Sequence, residues 1–417
     1  MESVFEEWSA YAARKELLSR VVDFDSIISN SKSKIVAITG VRRVGKSSVL
    51  MLLLQKLLAN GEKVCYVNLE DSRLKSNPHV LDDVIKWFGD QGFVLLDEIT
   101  SSLDWEGWLA RTHELLKGKL RLIVSSSRKN LVWPCKPLRG RILAFELYPL
   151  PFNEFLNFKG IQIEKTTAGR GRLEKAFMEY LKYGGFPEVV LVKEEIDKVR
   201  ILNSYFKDIV GLDVAELSNE DVSIVETFGR YVVQSPYFSA SKCLNFLKTL
   251  GYKIGKDKIL QLEHYSQASY LFFFIEIFAY NIKDRSQYPR KAYPGDTGFS
   301  YSTIGKINLG RLYENLVFLE LKRRLGGQRE ICYWKNREGK EVDFLIKQGT
   351  NINQLTQVVY DLCDEKTLVR EKNAILKCAK EFKVKKAIIF TKDVSQTETI
   401  DGITISFVPL IDWLLTK

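Results

Sequence analysis

The chain is poor in the residues that build metal clusters, with six cysteines and three histidines among 417 residues. Cys65, Cys135, Cys243, Cys332, Cys363 and Cys378 form no CxxC pair, which argues against a zinc site and leaves the cysteines reading as reduced thiols of a cytosolic protein. Long hydrophobic runs are missing as well. The most apolar stretch, "YLFFFIEIFAY", falls far short of the roughly 20 residues that a span requires and carries Glu276. The opening "MESVFEEW" is acidic and has no apolar signal core. A cytoplasmic location and no membrane partner are therefore expected. Acidic charge is the minority sign: 52 Asp and Glu stand against 62 Lys and Arg, for a net charge of +10 and a pI near 9.0. That balance favours a polyanionic partner.

What is present supports large cores. Hydrophobic residues make up 45% and charged residues 27%, and the length suits roughly three domains at about 150 residues each. The strand-like "SKIVAIT" runs into "GVRRVGKS" and then the helix-like "SVLMLLLQKLL". Gly40 to Ser47 satisfies G-x-x-x-x-G-K-[ST] at every fixed position. Glycines let successive N–H groups turn inward on an anion, and the following helix adds the positive end of its dipole. Gly40, Gly45, Lys46, Ser47 and Ser48 are thus the candidate ATP-binding residues. Lys46 is expected to reach the β- and γ-phosphates, and Ser47 to ligate Mg²⁺.

"FVLLDE" reads as an apolar strand that delivers two acids to the ligand-binding edge of a parallel sheet. Asp97 is expected in the Mg²⁺ shell, and Glu98 as the group that polarises the attacking water. The strand "LRLIVSSS" ends in Ser125, Ser126 and Ser127, for which two readings stand: contact with the γ-phosphate, or a plain turn. Arg139 and Arg141 of "LRGR" are candidate fingers toward the nucleotide of this subunit or of a neighbour, the second case implying self-association.

These segments, with "YPLPFNEFL", "YLKYGGFPEVV", "DTGF", "YENLVFLEL", "YWKNREGKEVDFLI", "QVVYDL" and "PLIDWLL", resemble the archaeal-type, AAA-like P-loop ATPases that join an ATPase core to a winged helix and a nuclease-like C-terminal domain. The resemblance implies an α/β fold with a P-loop parallel-sheet core over residues 1–150, a helical lid over 151–222, a winged helix over 223–300 and an α/β restriction-endonuclease-like domain over 301–417. Two departures bear on hydrolysis. Thr100 stands where glutamine is common, and Ile123-Val124 replaces a common Thr-Gly.

In the middle region, Gly184, Gly185 and Pro187 read as a break between two helices. "SASKCLNFLKTLGYKIGKDKILQLEHYSQASY" reads as two helices around a "GYKIG" turn, with Ser239 a plausible cap on the first. The second helix offers Lys256, Lys258, Gln261, His264 and Gln267, and the basic turn after the apolar run offers Lys283, Arg285, Arg290 and Lys291 as phosphate grips. Double-stranded DNA is the expected partner, with a packing role as the competing reading. In the C-terminal domain the resemblance gathers Glu314, Asp343 and Gln357 around one metal. An active nuclease of that kind would carry a lysine two residues after the glutamine, where this chain has Val359, so a degenerate domain is expected, with an ATP-regulated nuclease and a protein-binding scaffold as the rival readings.

Overall fold

The computed structural model describes residues 1–416 apart from 129–130, 132–135, 280, 282–284, 286–287, 327–328 and 363–364. Two compact units emerge: Met1–Tyr148 with Ala268–Tyr270, and Pro149–Gln267 with Leu271–Lys417.

The first unit is built on five strands: β1 (Ile35–Thr39), β2 (Val64–Asn68), β3 (Gly92–Asp97), β4 (Leu120–Ser126) and β5 (Ile142–Glu146). All pair in parallel, in the order β2-β3-β4-β1-β5. A parallel sheet must be covered on both faces, so its strands read as unbroken apolar runs. Here Ile35, Ala37, Val67, Val94, Leu96 and Val124 pack with Phe5, Val84 and Leu109 on one face. On the other, Val36, Ile38, Leu95 and Ile123 meet Val49, Leu53 and Leu57 of the helix Lys46–Ala59. The parallel connection rule brings the C-terminal ends of β1, β3 and β4 to one edge, which is where such sheets hold ligands.

The second unit opens with helices that include Thr167–Tyr183 and Pro187–Leu191, separated at Gly184 and Gly185, with Pro187 at the first helical position. Next come the helix Val222–Gln234, β6 (Tyr237–Phe238), the helices Ala240–Thr249 and Lys256–Ala268, β7 (Phe272–Ile275) and β8 (Arg290–Pro294). These strands form an antiparallel sheet in the order β6-β8-β7. Ser239 stands at the N-terminus of its helix, but its hydroxyl makes no capping bond.

The helix Leu309–Leu325 then leads to a six-stranded mixed sheet of β9 (Glu330–Lys335), β10 (Glu341–Gln348), β11 (Asn351–Val358), β12 (Lys386–Thr391), β13 (Gln396–Ile400) and β14 (Ile403–Pro409). Its order is β13-β14-β12-β11-β10-β9. Cys65, Cys243, Cys332 and Cys378 are buried as free thiols. Among the described residues, no helix is long and apolar enough to cross a membrane.

Candidate nucleotide site and carboxylate cluster

Gly40 to Gly45 form the turn between β1 and the helix Lys46–Ala59, as the motif requires. Gly40 can be nothing larger, because a Cβ there would sit 2.1 Å from the Leu147 carbonyl oxygen. Gly45 precedes the helix at φ +96°, in the left-handed region that glycine enters without strain. The loop is braced from outside the motif by Arg20, whose buried guanidinium donates to the carbonyls of Val44 at 2.9 Å and Tyr148 at 3.3 Å. Just before Gly40, the Thr39 hydroxyl shares a 2.9 Å hydrogen bond with that of Tyr270.

Lys46 is buried and folded back on its own loop. Its ammonium donates to the Gly40 and Val41 carbonyls at 3.2 and 3.4 Å and pairs with Glu98 Oε1 at 3.2 Å. Glu98 also accepts from the Ser127 N–H at 3.0 Å. Burial alone would push the Glu98 carboxyl up, but the Lys46 ammonium, the Ser127 N–H and Arg42 together hold it below the usual range. Its backbone is left-handed, at φ +49°, a conformation that costs a non-glycine residue about 1–2 kcal/mol. A 2.9 Å bond from the Glu98 N–H to Ser125 Oγ holds it there.

Asp97 is fully buried, which raises its pKa, and the neighbouring Glu98 charge adds to the effect. Its oxygens accept from the Tyr66 hydroxyl at 2.7 Å, from Ser125 and from Ser47. The structure thus joins Lys46 to Glu98 and Ser47 to Asp97 at one edge of the sheet. Ser48 lies half-buried on the first helical turn.

Two expectations need correction. Ser125 does not face the loop as a phosphate contact: it has no exposed surface, and its hydroxyl is committed to the Asp97 carboxylate and the Glu98 N–H. It is a strut beneath the acids. Arg141 lies at the far edge, where its carbonyl accepts from the Ile35 N–H at the start of β1 and its guanidinium from there reaches the Pro137 carbonyl and Glu114. Five residues of strand separate that edge from the loop by about 16 Å, so Arg141 cannot act on the nucleotide of its own subunit. Tyr66 and Arg20 were not singled out from sequence. The only signal for Tyr66 is a hydroxyl inside an otherwise apolar buried strand, and Arg20 carries none.

In the second unit the basic turn is mostly spent on internal partners, and this corrects its reading as a phosphate grip. Lys283 lies outside the described residues. Arg285 donates to the Ala279 carbonyl at 2.6 Å. Arg290 pairs with Glu263 and, at 3.7 Å, with Glu276. Lys291 is buried, with its ammonium 2.8 Å from Glu314, 2.9 Å from Glu341 and 2.7 Å from Asp343. A cation enclosed by three carboxylates is not available to a phosphate backbone. Glu314 and Asp343 are thus brought together as expected, but around an ammonium. Gln357 turns its carbonyl oxygen to the Asp343 N–H at 3.0 Å and its amide nitrogen to Glu371 at 2.7 Å.

Residues 32–156 match the family described as AAA domain, while 174–308 and 309–410 match two families described as domains of unknown function, DUF8612 and DUF4143. The chain is 33% identical over 414 residues to the uncharacterized protein MJ1544 of Methanocaldococcus jannaschii, covering 95% of this chain and 92% of that protein. An uncharacterized protein of Haemophilus influenzae is 27% identical over 97% of this chain and 99% of its own length. The solved structure of AMPPCP-bound DnaA from Aquifex aeolicus aligns with 60% of this chain and 95% of that one, at 14% identity and a TM-score of 0.29. Phosphate loop, acidic strand end and family match agree, and the chain belongs to the AAA-domain P-loop ATPase family, with the Methanocaldococcus jannaschii protein as a relative along nearly its whole length.

Proposed function

We propose that the protein is a magnesium-dependent ATPase whose nucleotide state controls its association with double-stranded DNA. The observation that carries the nucleotide half is the pairing of Lys46 with Glu98 at 3.2 Å beside the Ser47 and Asp97 pair. Lys46 is held by a carboxylate and two carbonyl oxygens, acceptors that anionic phosphate oxygens can replace with stronger charge-assisted bonds. Ser47 and Asp97 are the hard oxygen donors that suit Mg²⁺, which when bound would neutralise charge on the phosphates. When the phosphates draw Lys46 away, Glu98 loses its counter-ion and becomes free to orient and deprotonate water. Nucleotide binding and activation of the base are then one event.

Tyr66 tunes this site. Its hydroxyl favours the charged form of Asp97 against the opposing effect of burial. In Tyr66→Phe the carboxyl should hold its proton more tightly, so the Mg²⁺ concentration for half-maximal turnover should rise several-fold, and more at pH 6 than at pH 8. A magnesium titration at saturating ATP checks this, and an unchanged requirement at both pH values would remove Tyr66 from the site.

The DNA half rests on the net charge and on the order helix, strand, helix, helix, strand, strand over Val222–Pro294, which supports reading 223–300 as a winged helix. The lid over 151–222 and the nuclease-like domain over 301–417 belong to the same reading. With Arg285, Arg290 and Lys291 paired internally, the contact moves to the helix Lys256–Ala268, which exposes Lys256, Gln261 and His264 and follows the exposed Lys253. Gln267 instead accepts from the Phe274 N–H at 3.2 Å, and Lys258 pairs with Glu220 at 2.8 Å. Alanine at Lys253 and Lys256 should weaken binding to all duplex sequences alike and reduce the salt slope by about two units. A slope equal to wild type would place the DNA surface elsewhere. A finger role for Arg141 requires a second copy of the chain, since it lies at the opposite edge of the sheet from its own loop.

The experiment that tests the whole reading is ATP turnover with and without duplex DNA. Magnesium-dependent turnover that changes with DNA is the expected result. Turnover indifferent to DNA would leave the ATPase and remove the switch.

A further inference from the structure

The resemblance that gathers Glu314, Asp343 and Gln357 around a metal is at odds with what those residues do. Where a cation would sit, the Lys291 ammonium donates to Asp343 Oδ1 at 2.7 Å and to Glu314 Oε1 at 2.8 Å, and forms an ion pair with Glu341 Oε1 at 2.9 Å. An ammonium carries a positive charge and donors but no acceptor, and here three carboxylates surround it. Each of the three carboxylates has a further donor as well. Asp343 Oδ2 accepts from the Val358 N–H at 2.9 Å, Glu314 from the Tyr293 hydroxyl at 2.7 Å, and Glu341 from the Tyr237 hydroxyl and from Lys335 at 3.1 Å. The Gln357 oxygen is committed to the Asp343 N–H. Spacing agrees with chemistry: carboxylates held at hydrogen-bond range from one point must close in before they can ligate a divalent ion at about 2.0–2.1 Å, and the ammonium between them prevents it. With Lys291 in place, no group of three His, Cys, Asp or Glu side chains among the described residues is set to hold a metal ion.

Lys291 is well fixed in this position. It lies on β8, the middle strand of its sheet, paired across to Tyr237 on β6 and Ile275 on β7, and its side chain is buried. The carboxylates come from the helix Leu309–Leu325 and from β10. One side chain therefore joins the three-stranded sheet to the six-stranded one through a charge cluster that neither could bury alone.

We infer that Lys291 is a built-in cation that takes the place of the metal, so that the carboxylate cluster is a permanent ion-pair clamp on β8 and is closed to divalent ions. Removing the ammonium opens a site for one divalent cation. This inference is independent of the nucleotide site, and the test keeps the two apart by omitting nucleotide.

The full chain is titrated with Mn²⁺ without nucleotide, and free Mn²⁺ is followed by its paramagnetic resonance signal. Wild type is expected to take up no stoichiometric Mn²⁺, whereas Lys291→Met takes up about one per chain and gains melting temperature as Mn²⁺ is added. Lys291→Met combined with Glu341→Gln, which removes one of the uncompensated charges, gives the same reading if the single variant does not fold. Two results would overturn the inference. One is wild-type uptake of one Mn²⁺ per chain that Lys46→Ala retains and Asp343→Asn loses, which would make Lys291 a partner of a working metal site. The other is a folded Lys291→Met that binds no Mn²⁺. The wild-type arm decides the matter even if neither variant folds.

Discussion

Glu98→Gln is expected to bind ATP as well as wild type and to hydrolyse it about 10²–10⁴-fold more slowly, the range usual for loss of a general base. Glutamine keeps the shape and an oxygen for the Ser127 N–H but has neither the charge that pairs with Lys46 nor the basicity to take a proton from water. Because the Lys46 contact at 3.2 Å opposes nucleotide binding, its loss should leave affinity equal or improved. Lys46→Ala should behave in the opposite way. It removes the cation that ground-state phosphates meet and strands a buried carboxylate, so affinity falls and the Glu98 pKa rises toward the value that burial dictates. Equilibrium binding of a fluorescent ATP analogue and single-turnover hydrolysis separate the two variants. Wild-type hydrolysis in Glu98→Gln would end the assignment of Glu98 as base.

Gly184→Ala is expected to cost the second unit about 4 kcal/mol or more, the range of substitutions that combine backbone strain with a buried clash. Gly184 stands at φ +74°, and a Cβ there would lie 1.5 Å from Asp296 Oδ1 and 2.3 Å from Cγ. The carboxylate cannot yield cheaply, since it is buried and accepts from the Gly185 N–H at 2.9 Å and the Gly298 N–H at 2.8 Å. Displacing it leaves those donors unsatisfied. Denaturant unfolding measures the loss. A variant within about 1 kcal/mol of wild type would mean that the chain relaxes around Asp296 at little cost.

The parts legible in the sequence share one property, namely that the residues acting together are neighbours in the chain. Gly40 to Ser48 are contiguous, and strand, turn and helix follow in the order their hydrophobic patterns announce. Asp97 and Glu98 are marked by the apolar strand that ends on them. The break at Gly184 and Gly185 was readable for the same reason. Misreadings arose where a side chain's meaning depends on distant partners. Ser125 looked like a phosphate contact because it ends a strand at the ligand edge, yet its hydroxyl is consumed by two acids 27 and 28 residues away.

Lys291 gives the sharpest contrast. Within "DRSQYPRK" it looks like one more solvated charge of a basic turn, and only the pairing of β8 with β6 and β7 turns it toward Glu314, Glu341 and Asp343, the last of them 52 residues further on. The sequence by itself determined the strand, loop and helix of the nucleotide site, because local patterning and glycine chemistry act over a few residues. Tertiary structure alone decided which charges face solvent and which neutralise one another, because burial and Coulomb energy depend on distances in space that no local pattern records.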